Sequence, residues 1–232
     1  MVQEKAKVIE IFSSIQGEGK YVGVKQVFVR FFECNMHCVW CDTPHSIGDT
    51  TRHYKELSWE EINQKITELW QDSHSVSLTG GEPLVQADFL KTLLPSLRQA
   101  GRPAHLETNG VLPHQLLKVI DDVDAIAMDI KLPSSTKCQP FWEEHEAFLR
   151  IALRKEVFVK TVISSDTQKA DIERTVDLLS SVDAGILCIL QPNTYDLGDG
   201  VIKKCLEYQA FCLRFLKNVR VLPQVHKFMK IR

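Results

Sequence analysis

The chain has 232 residues, of which 44% are hydrophobic and 25% are charged, and its net charge is −2. This composition is typical of a globular protein with one core, so we expect a single domain over residues 1–232. The near-neutral charge argues against nucleic acid and anionic membranes as partners. No apolar run of about 18 residues predicts a membrane span, and the N-terminus lacks a signal-peptide pattern. Together with an odd number of cysteines, seven, these features predict a cytoplasmic protein that binds a small molecule.

Short apolar runs alternate with amphipathic stretches along the chain, which is typical of βα units and a parallel sheet. The predicted strands are residues 8–12, 27–32, 76–78, 104–107, 125–128, 157–162, 186–190 and 219–222. The predicted helices are residues 59–70, which follow a capping box at Ser58, and then 88–99, 113–120, 141–153, 167–179 and 201–216. About six βα units are too few for a closed eight-stranded barrel. We therefore expect an α/β fold with a partial, open βα barrel of about six parallel strands, and functional residues where strands end.

Three cysteines, Cys34, Cys38 and Cys41, follow the second strand at a C-x3-C-x2-C spacing. The sequence places no fourth cysteine or paired histidine nearby, and we interpret His37 as exposed. A [4Fe-4S] cluster takes one thiolate per iron, so three thiolates would leave one iron open to a ligand that is not protein. The spacing therefore predicts a reactive iron–sulfur cluster at residues 34–41, with a structural zinc module as the non-enzymatic alternative. The remaining cysteines are interpreted as structural: Cys138, Cys188, Cys205 and Cys212.

Polar and glycine residues follow three consecutive predicted strands. The first of these segments is residues 79–83, with the sequence Thr-Gly-Gly-Glu-Pro, which in isolation reads as an ordinary turn. Beside a cysteine loop it favours ligand binding, because a glycine backbone edge can pair with the amino group of an amino-acid-like ligand and Glu82 can order the turn. The next two strands end in residues 107–110, Glu-Thr-Asn-Gly, and residues 128–131, Met-Asp-Ile-Lys.

The cysteine loop and these strand ends together resemble the radical S-adenosylmethionine superfamily. The resemblance implies that Cys34, Cys38 and Cys41 ligate the [4Fe-4S] cluster and that the methionine end of S-adenosylmethionine chelates the open iron. Trp40 would lie against the adenine, with loop packing as its structural alternative. The implied cofactor-binding residues are Trp40, Cys41, Asp42, Gly81, Glu82, Asp129, Ile130, Lys131, Gln191 and Pro192.

The N-terminal segment 14–19, the segment 41–43 and the C-terminal segment 222–227 resemble the 7-carboxy-7-deazaguanine synthases. The resemblance implies a lyase that contracts the ring of 6-carboxy-5,6,7,8-tetrahydropterin by a radical route, with loss of ammonia. The product, 7-carboxy-7-deazaguanine, belongs to queuosine-type biosynthesis. The resemblance also implies Mg2+, a reducing electron donor and a homodimer.

The same resemblance assigns the substrate residues. The backbone of Ile15, Gln16 and Gly17 would recognise the pterin edge, Arg30 would bind the carboxylate, Thr79 would touch the substrate, and Thr43 would ligate Mg2+. An arginine inside an apolar strand needs an anionic partner, so the structural alternative for Arg30 is an ion pair with Glu18 or Glu33.

The proton-transfer residues stay unassigned, with Lys131, Glu18 and His226 as candidates. A lone histidine such as His226 is more often structural than catalytic.

Three questions stay open at this point: the roles of Asp129 and Ile130, the class of substrate, and the structure of the C-terminal tail. Many members of the family carry Ser-Pro-Lys where this chain has Asp129-Ile130-Lys131, which weakens the roles of the first two residues. An Asp-x-Lys motif, the cysteine spacing and the Gly-Gly-Glu-Pro turn also occur in activases of glycyl-radical enzymes, which act on a protein. The C-terminal tail, residues 227–232, alternates apolar and cationic residues, which fits either a short strand or a cover over a pocket mouth.

Overall fold

The structure is a computed structural model that describes residues 4–48 and 53–231. The predicted domain limits, Met1 and Arg232, lie outside the described residues.

One open sheet of nine strands runs through the described residues. Its order is β3-β1-β2-β4-β5-β6-β7-β8-β9; the strands from β2 onwards along this order are parallel, and β1 pairs antiparallel with both β2 and β3. The predicted open α/β architecture is confirmed, with seven parallel strands rather than about six. The bounds are β1 Lys5–Ile15, β2 Lys25–Phe31, β3 Lys55–Ser58, β4 Ser75–Gly80, β5 Ala104–Thr108, β6 Ala125–Asp129, β7 Glu156–Ile163, β8 Cys188–Pro192 and β9 Val219–Val221.

Helices connect the parallel strands. The capping box that begins the first helix is present: Ser58 N donates to Glu61 Oε2 (2.8 Å), and Glu61 N donates to Ser58 Oγ (3.4 Å). Every helix in the described part of the chain is too short or too polar to cross a bilayer. The bounds are α1 Trp59–Leu69, α2 Ala87–Gln99, α3 Pro113–Leu117, α4 Pro133–Thr136, α5 Trp142–Ala152, α6 Lys169–Val182, α7 Val201–Cys212 and α8 Val225–Met229.

Three short elements were not predicted from the sequence: β3, α4 and α8. β3 is four residues long and mostly polar, and it exists because it pairs with the first residues of β1 at the edge of the sheet. The strand interpretation of the C-terminal tail is wrong. Residues 225–229 form a helical turn, whose first residue donates its N–H to Gly17 O (2.9 Å).

The two faces of the central strands differ in polarity, and this difference creates the site. In β4, Val76 and Leu78 point into the apolar core, whereas Ser75 and Ser77 point to the other face and are buried as well. A strand alternates its side chains between the two faces, so the same rule places polar side chains of neighbouring strands side by side. The polar face therefore surrounds a cavity at the carboxyl ends of the strands.

The glycine pair at the end of β4, Gly80 and Gly81, is required by protein packing. A Cβ on Gly81 would lie 2.1 Å from the carbonyl oxygen of Glu33, and one on Gly80 would lie 2.2 Å from that of Phe31. Gly81 N donates to Phe31 O (3.1 Å), and Glu82 N donates to Glu33 O (2.8 Å). The turn after β4 is thus joined by its backbone to the segment that leads from β2 into the cysteine loop.

We expect Gly81→Ala to lower the free energy of unfolding by about 3 kcal/mol, because the new methyl group overlaps a backbone carbonyl that cannot move away alone. The matched control is Gly198→Ala, where an added Cβ meets no heavy atom within 4 Å and the φ angle is not positive. Urea unfolding of the two variants measures the difference. Equal stability of the variants would contradict the packing role of Gly81.

Candidate active site

A cavity of about 330 Å³ lies where the parallel strands end. It brings together residues that are distant in sequence, from the segment after β1 to the C-terminal tail. The predicted site residues that line it are Ile15, Gln16, Gly17, Arg30, Cys34, Cys38, Trp40, Cys41, Asp42, Thr43, Thr79, Gly81, Asp129, Lys131 and Gln191. The candidates Glu18 and His226 line it as well.

Three predicted cofactor residues do not line the cavity: Glu82, Ile130 and Pro192. Ile130 is fully buried in the apolar core, and Pro192 is the last residue of β8. Glu82 is fully buried behind the turn, where it accepts hydrogen bonds from Leu84 N (3.1 Å), Thr108 Oγ1 (2.8 Å) and Asn109 N (2.7 Å). Glu82 therefore joins the loops after β4 and β5, and burial raises the pKa of its carboxyl to about 7.

The three cysteines of the loop face the cavity as half-buried free thiols. Burial raises the pKa of Cys34 to about 11 and that of Cys38 to about 12. The loop is held by Cys34 N, which donates to Ile47 O (3.3 Å), and by Val39 N, which donates to Thr136 O (3.1 Å). Three thiols on one cavity wall fit the donor set of a three-thiolate cluster, and His37 is exposed as predicted.

A fourth cysteine, Cys138, lies beside this loop. Its Sγ donates to the carbonyl oxygen of His37 (3.6 Å). The sequence places Cys138 about a hundred positions away, and only the packing of the segment after α4 against the loop brings it there. The other three cysteines, Cys188, Cys205 and Cys212, are buried.

Four charged side chains with 10–17% exposure form a network along the cavity wall. Lys131 Nζ lies 2.9 Å from Asp129 Oδ2, and Lys160 pairs with Glu18 and lies 3.6 Å from Asp129 Oδ2. Burial opposes the charge on each lysine, but the carboxylates outweigh it and the pKa of both lysines is raised. For Glu18, burial raises the pKa of the carboxyl, but the charge of Lys160 and the hydrogen bonds from Gln224 and Lys160 outweigh burial and lower that pKa to about 2.

Two buried acceptors on the cavity wall have no hydrogen-bond partner among the described residues: Asp129 Oδ1 and Gln191 Oε1. Buried acceptors are normally paired, so these atoms suit a ligand with hydroxyl or amino donors. Trp40 donates from Nε1 to Ser135 Oγ (2.9 Å), and Lys131 Nζ lies 4.9 Å from the centroid of its ring. The indole is thus packed in the loop and also presented to the cavity.

Arg30 forms an ion pair, but with neither of the partners that the sequence suggested. Its Nε donates to Glu10 Oε1 (2.9 Å), because Glu10 lies directly opposite Arg30 in the antiparallel register of β1 and β2. Glu18 pairs instead with Lys160, and Glu33 pairs with Lys7 (2.6 Å). A guanidinium has five N–H donors, so a pair through Nε still permits a bidentate contact with a carboxylate in the cavity.

Glu107 is a cavity residue to which the sequence analysis assigned no role. It accepts hydrogen bonds from Gln16 Nε2 (2.8 Å), Ser77 Oγ (2.6 Å) and Thr79 Oγ1 (3.2 Å). The alternation of β5 could have revealed it, because Leu106 belongs to the core and both neighbours of Leu106 point to the polar face.

The C-terminal segment closes one side of the cavity. Gln224 Nε2 donates to Glu18 Oε1 (2.7 Å) and to Asp42 Oδ2 (3.1 Å), while its Oε1 accepts from Thr194 Oγ1 (2.6 Å). Lys227 lies 3.6 Å from Asp42 and also lines the cavity. The side chain of His226 packs on Gly17, where a Cβ would lie 2.3 Å from its Nδ1. Lys227 and Ile231 of the tail line the cavity, so the second of the two sequence interpretations, a cover over the pocket mouth, is compatible with the structure and stays a prediction.

The chain is similar to known proteins over most of its length. The model of the radical SAM superfamily matches residues 29–179. A 7-carboxy-7-deazaguanine synthase of Geobacter sulfurreducens is 39% identical over 99% of both chains, and one of Archaeoglobus fulgidus is 33% identical over 98% of this chain and 100% of its own. The crystal structure of QueE from Escherichia coli superposes with a TM-score of 0.68 at 21% identity, covering 96% of this chain and 95% of that one, which shows the shared fold.

We expect Glu82→Gln to remove a pH dependence of stability. The folded-state pKa of about 7 lies above the ordinary value of 4.5, so the unfolded state ionises first as the pH rises. Wild-type protein therefore loses stability between these two values, on the order of 3 kcal/mol, whereas the glutamine cannot ionise. Urea unfolding at pH 5 and pH 8 should show the variant gaining relative to wild type.

The control for this experiment is Glu60→Gln, which removes one exposed carboxylate from the surface of α1. A stability difference between Glu82→Gln and wild type that is the same at both pH values would contradict a buried, protonated Glu82.

Proposed function

This chain belongs to the radical SAM superfamily and, within it, to the 7-carboxy-7-deazaguanine synthases, and we propose that its cavity holds the pterin substrate beside S-adenosylmethionine. It is a lyase that converts 6-carboxy-5,6,7,8-tetrahydropterin into 7-carboxy-7-deazaguanine with loss of ammonia, in queuosine-type biosynthesis. The observation that carries this function is the 39% identity over 99% of the chain to a synthase of that name. The geometry supports it, because the three thiols, Arg30 and Glu107 line one cavity.

The cofactors are a [4Fe-4S] cluster and S-adenosylmethionine, which when bound supply the radical that abstracts a hydrogen atom from the substrate. We propose that Cys34, Cys38 and Cys41 hold the cluster. The carbonyl groups of the turn at Gly81 would receive the amino group of the cofactor, since the Gly81 N–H is already donated to Phe31. The unpartnered oxygens of Asp129 and Gln191 would receive its ribose hydroxyls.

We propose that the two ends of the substrate are bound by groups of opposite character. Arg30 would bind the carboxylate in a bidentate contact. Glu107, an acceptor that already gathers Gln16, Ser77 and Thr79, would receive the N–H donors of the pterin edge next to the backbone of residues 15–17. The resemblance to the family supports Mg2+ at the Thr43 hydroxyl, a hard oxygen ligand on the cavity wall 3.9 Å from Cys41 Sγ.

The charge network argues against two of the candidates for proton transfer. The raised pKa of Lys131 makes it a poor general base near neutral pH, and the pKa of about 2 makes Glu18 a poor one as well. We propose that Lys131, Lys160 and Glu18 orient ligands and neighbouring loops, and we assign no catalytic acid or base.

The domain extent, the oligomeric state, the cellular location and the electron donor are further proposals. We propose one domain of 232 residues, which the single continuous sheet supports, and a homodimer, which the exposed apolar residues Leu206 in α7 and Leu213 and Phe215 just after it support. We also propose a cytoplasmic location and a separate low-potential electron donor, because an iron–sulfur enzyme with seven free cysteines requires a reducing compartment.

The function is tested with anaerobically reconstituted protein, S-adenosylmethionine, a reductant, Mg2+ and 6-carboxytetrahydropterin, followed by mass spectrometry. We expect both 5′-deoxyadenosine and 7-carboxy-7-deazaguanine, and neither from the Cys38→Ser variant. Deoxyadenosine without the deazaguanine would reject the substrate and favour another radical reaction, such as glycyl-radical activation. Absence of both products from cluster-loaded protein would reject the enzyme as proposed.

We expect Gln224→Leu to raise the KM for the pterin about tenfold or more. The substitution removes the hydrogen bonds to Glu18 and Asp42, which connect the segment after β1 to the end of the cysteine loop. The KM for S-adenosylmethionine should change less. Phe228→Ala, at a side chain that is 90% exposed in the same segment, should leave both constants unchanged. Steady-state kinetics decides: a similar loss in both variants would indicate general disturbance of the tail, and no loss in either would remove the cover role.

A further inference from the structure

A chain of buried polar side chains lies beneath the proposed pterin site. It runs from Gln16, just after β1, through Gln26 on β2 to His105 on β5, and Gln26 also contacts Ser75 on β4. These side chains have residue exposures of 4%, 0%, 1% and 2%, respectively. None of them belongs to the cysteine loop or to the cofactor side of the cavity.

Two neighbours of Gln16, the backbone N–H of Glu18 and the carboxylate of Glu107, determine which atom of its amide donates and which accepts. Gln16 Oε1 accepts from the backbone N–H of Glu18 (3.0 Å), which can only donate. Gln16 Nε2 donates to Glu107 Oε1 (2.8 Å), which acts here as an acceptor. A flipped Gln16 would place two donors together at Glu18 and two acceptors together at Glu107, so only one orientation of this amide is compatible with its neighbours.

The orientation of the Gln16 amide determines the orientation of the Gln26 amide. Its second amide hydrogen is donated to Gln26 Oε1 (2.9 Å), so Gln26 must present its Nε2 on the other side. That nitrogen donates to Ser75 Oγ (2.7 Å) and lies 3.3 Å from His105 Nδ1. Because Gln26 Nε2 has only hydrogens to offer, His105 Nδ1 has to be an acceptor, and the proton of the ring has to be on Nε2.

The surroundings of His105 favour this neutral form. Burial lowers the pKa of the imidazole below its ordinary range. The ring stands edge-on to Tyr21, with centroids 5.1 Å apart, and near Phe158, with centroids 6.0 Å apart. Its Nε2 has no hydrogen-bond partner among the described residues. An imidazolium here would turn Nδ1 into a donor facing another donor.

We propose that neutral His105 is a positioning residue for the substrate. Its unprotonated Nδ1 accepts at the end of the hydrogen-bond chain through Gln26 and Gln16, and the chain that it completes holds the N–H of Glu18 and the carboxylate of Glu107 in place for the pterin. The structural part of this inference stands on the contacts alone, and the kinetic part rests on the proposed function.

The tautomer is tested directly by long-range 1H–15N correlation spectra of full-length protein labelled with 15N-histidine. The His105 signals are identified by their loss in His105→Asn. We expect a pyridine-type Nδ1 and a pyrrole-type Nε2 at neutral pH. A protonated Nδ1 would overturn the inference, and this measurement needs neither cofactor nor substrate.

The positioning role is tested by two replacements at His105, of which one offers a hydrogen-bond acceptor and the other offers none. Asparagine can place an acceptor oxygen where Nδ1 was, whereas phenylalanine places an aromatic ring without an acceptor there. We expect His105→Phe to raise the KM for 6-carboxytetrahydropterin about tenfold, because it leaves a buried donor unpaired, with kcat and the KM for S-adenosylmethionine within about threefold of wild type. His105→Asn should restore the pterin KM to within about threefold.

The control is His114→Asn, at an exposed histidine on α3, which should leave all constants unchanged. Equal impairment of His105→Asn and His105→Phe, or a rise in both KM values, would reject the positioning role. If wild-type protein forms no deazaguanine, the proposed function fails while the tautomer result still decides the structural claim.

Discussion

The site depends on burying four charges together. Glu18, Asp129, Lys131 and Lys160 come from the segment after β1, from β6 and its following loop, and from β7. Each charge alone would cost several kcal/mol to remove from water, so none of them is tolerable without the others. Their mutual pairing ties three parts of the chain to one point on the cavity wall. Through Glu18 the network reaches Gln224, and through Gln224 it reaches Asp42 in the cysteine loop.

A second constraint holds the cysteine loop against the strand ends. The glycine pair at the end of β4 allows two backbones to approach more closely than any side chain would permit, and Glu82 ties the same turn to the loop after β5. The close approach is between two protein segments, so packing within the protein is enough to require both glycines.

The polar face of the sheet explains how one fold accommodates two ligands. The cysteine loop and the buried charges line the part of the cavity that we propose for the cluster and S-adenosylmethionine, whereas the face beside the proposed pterin site carries amides, serines, Glu107 and His105. Buried polar groups require complete pairing, and a paired chain has a defined direction. The orientation of groups near the substrate is therefore decided by residues that do not touch it.

The sequence by itself determined the strands, most helices, the capping box and the cysteine loop, because each depends on residues a few positions apart. It also determined the family, because the motifs at residues 34–41, 79–83 and 107–110 are local. The tertiary structure alone decided that Arg30 pairs with Glu10, that Cys138 lies beside His37, that Glu107 gathers three neighbours, and that the tail is helical over Gly17. These contacts join residues from different strands and loops, and their partners are set by sheet register and packing, which no local pattern encodes.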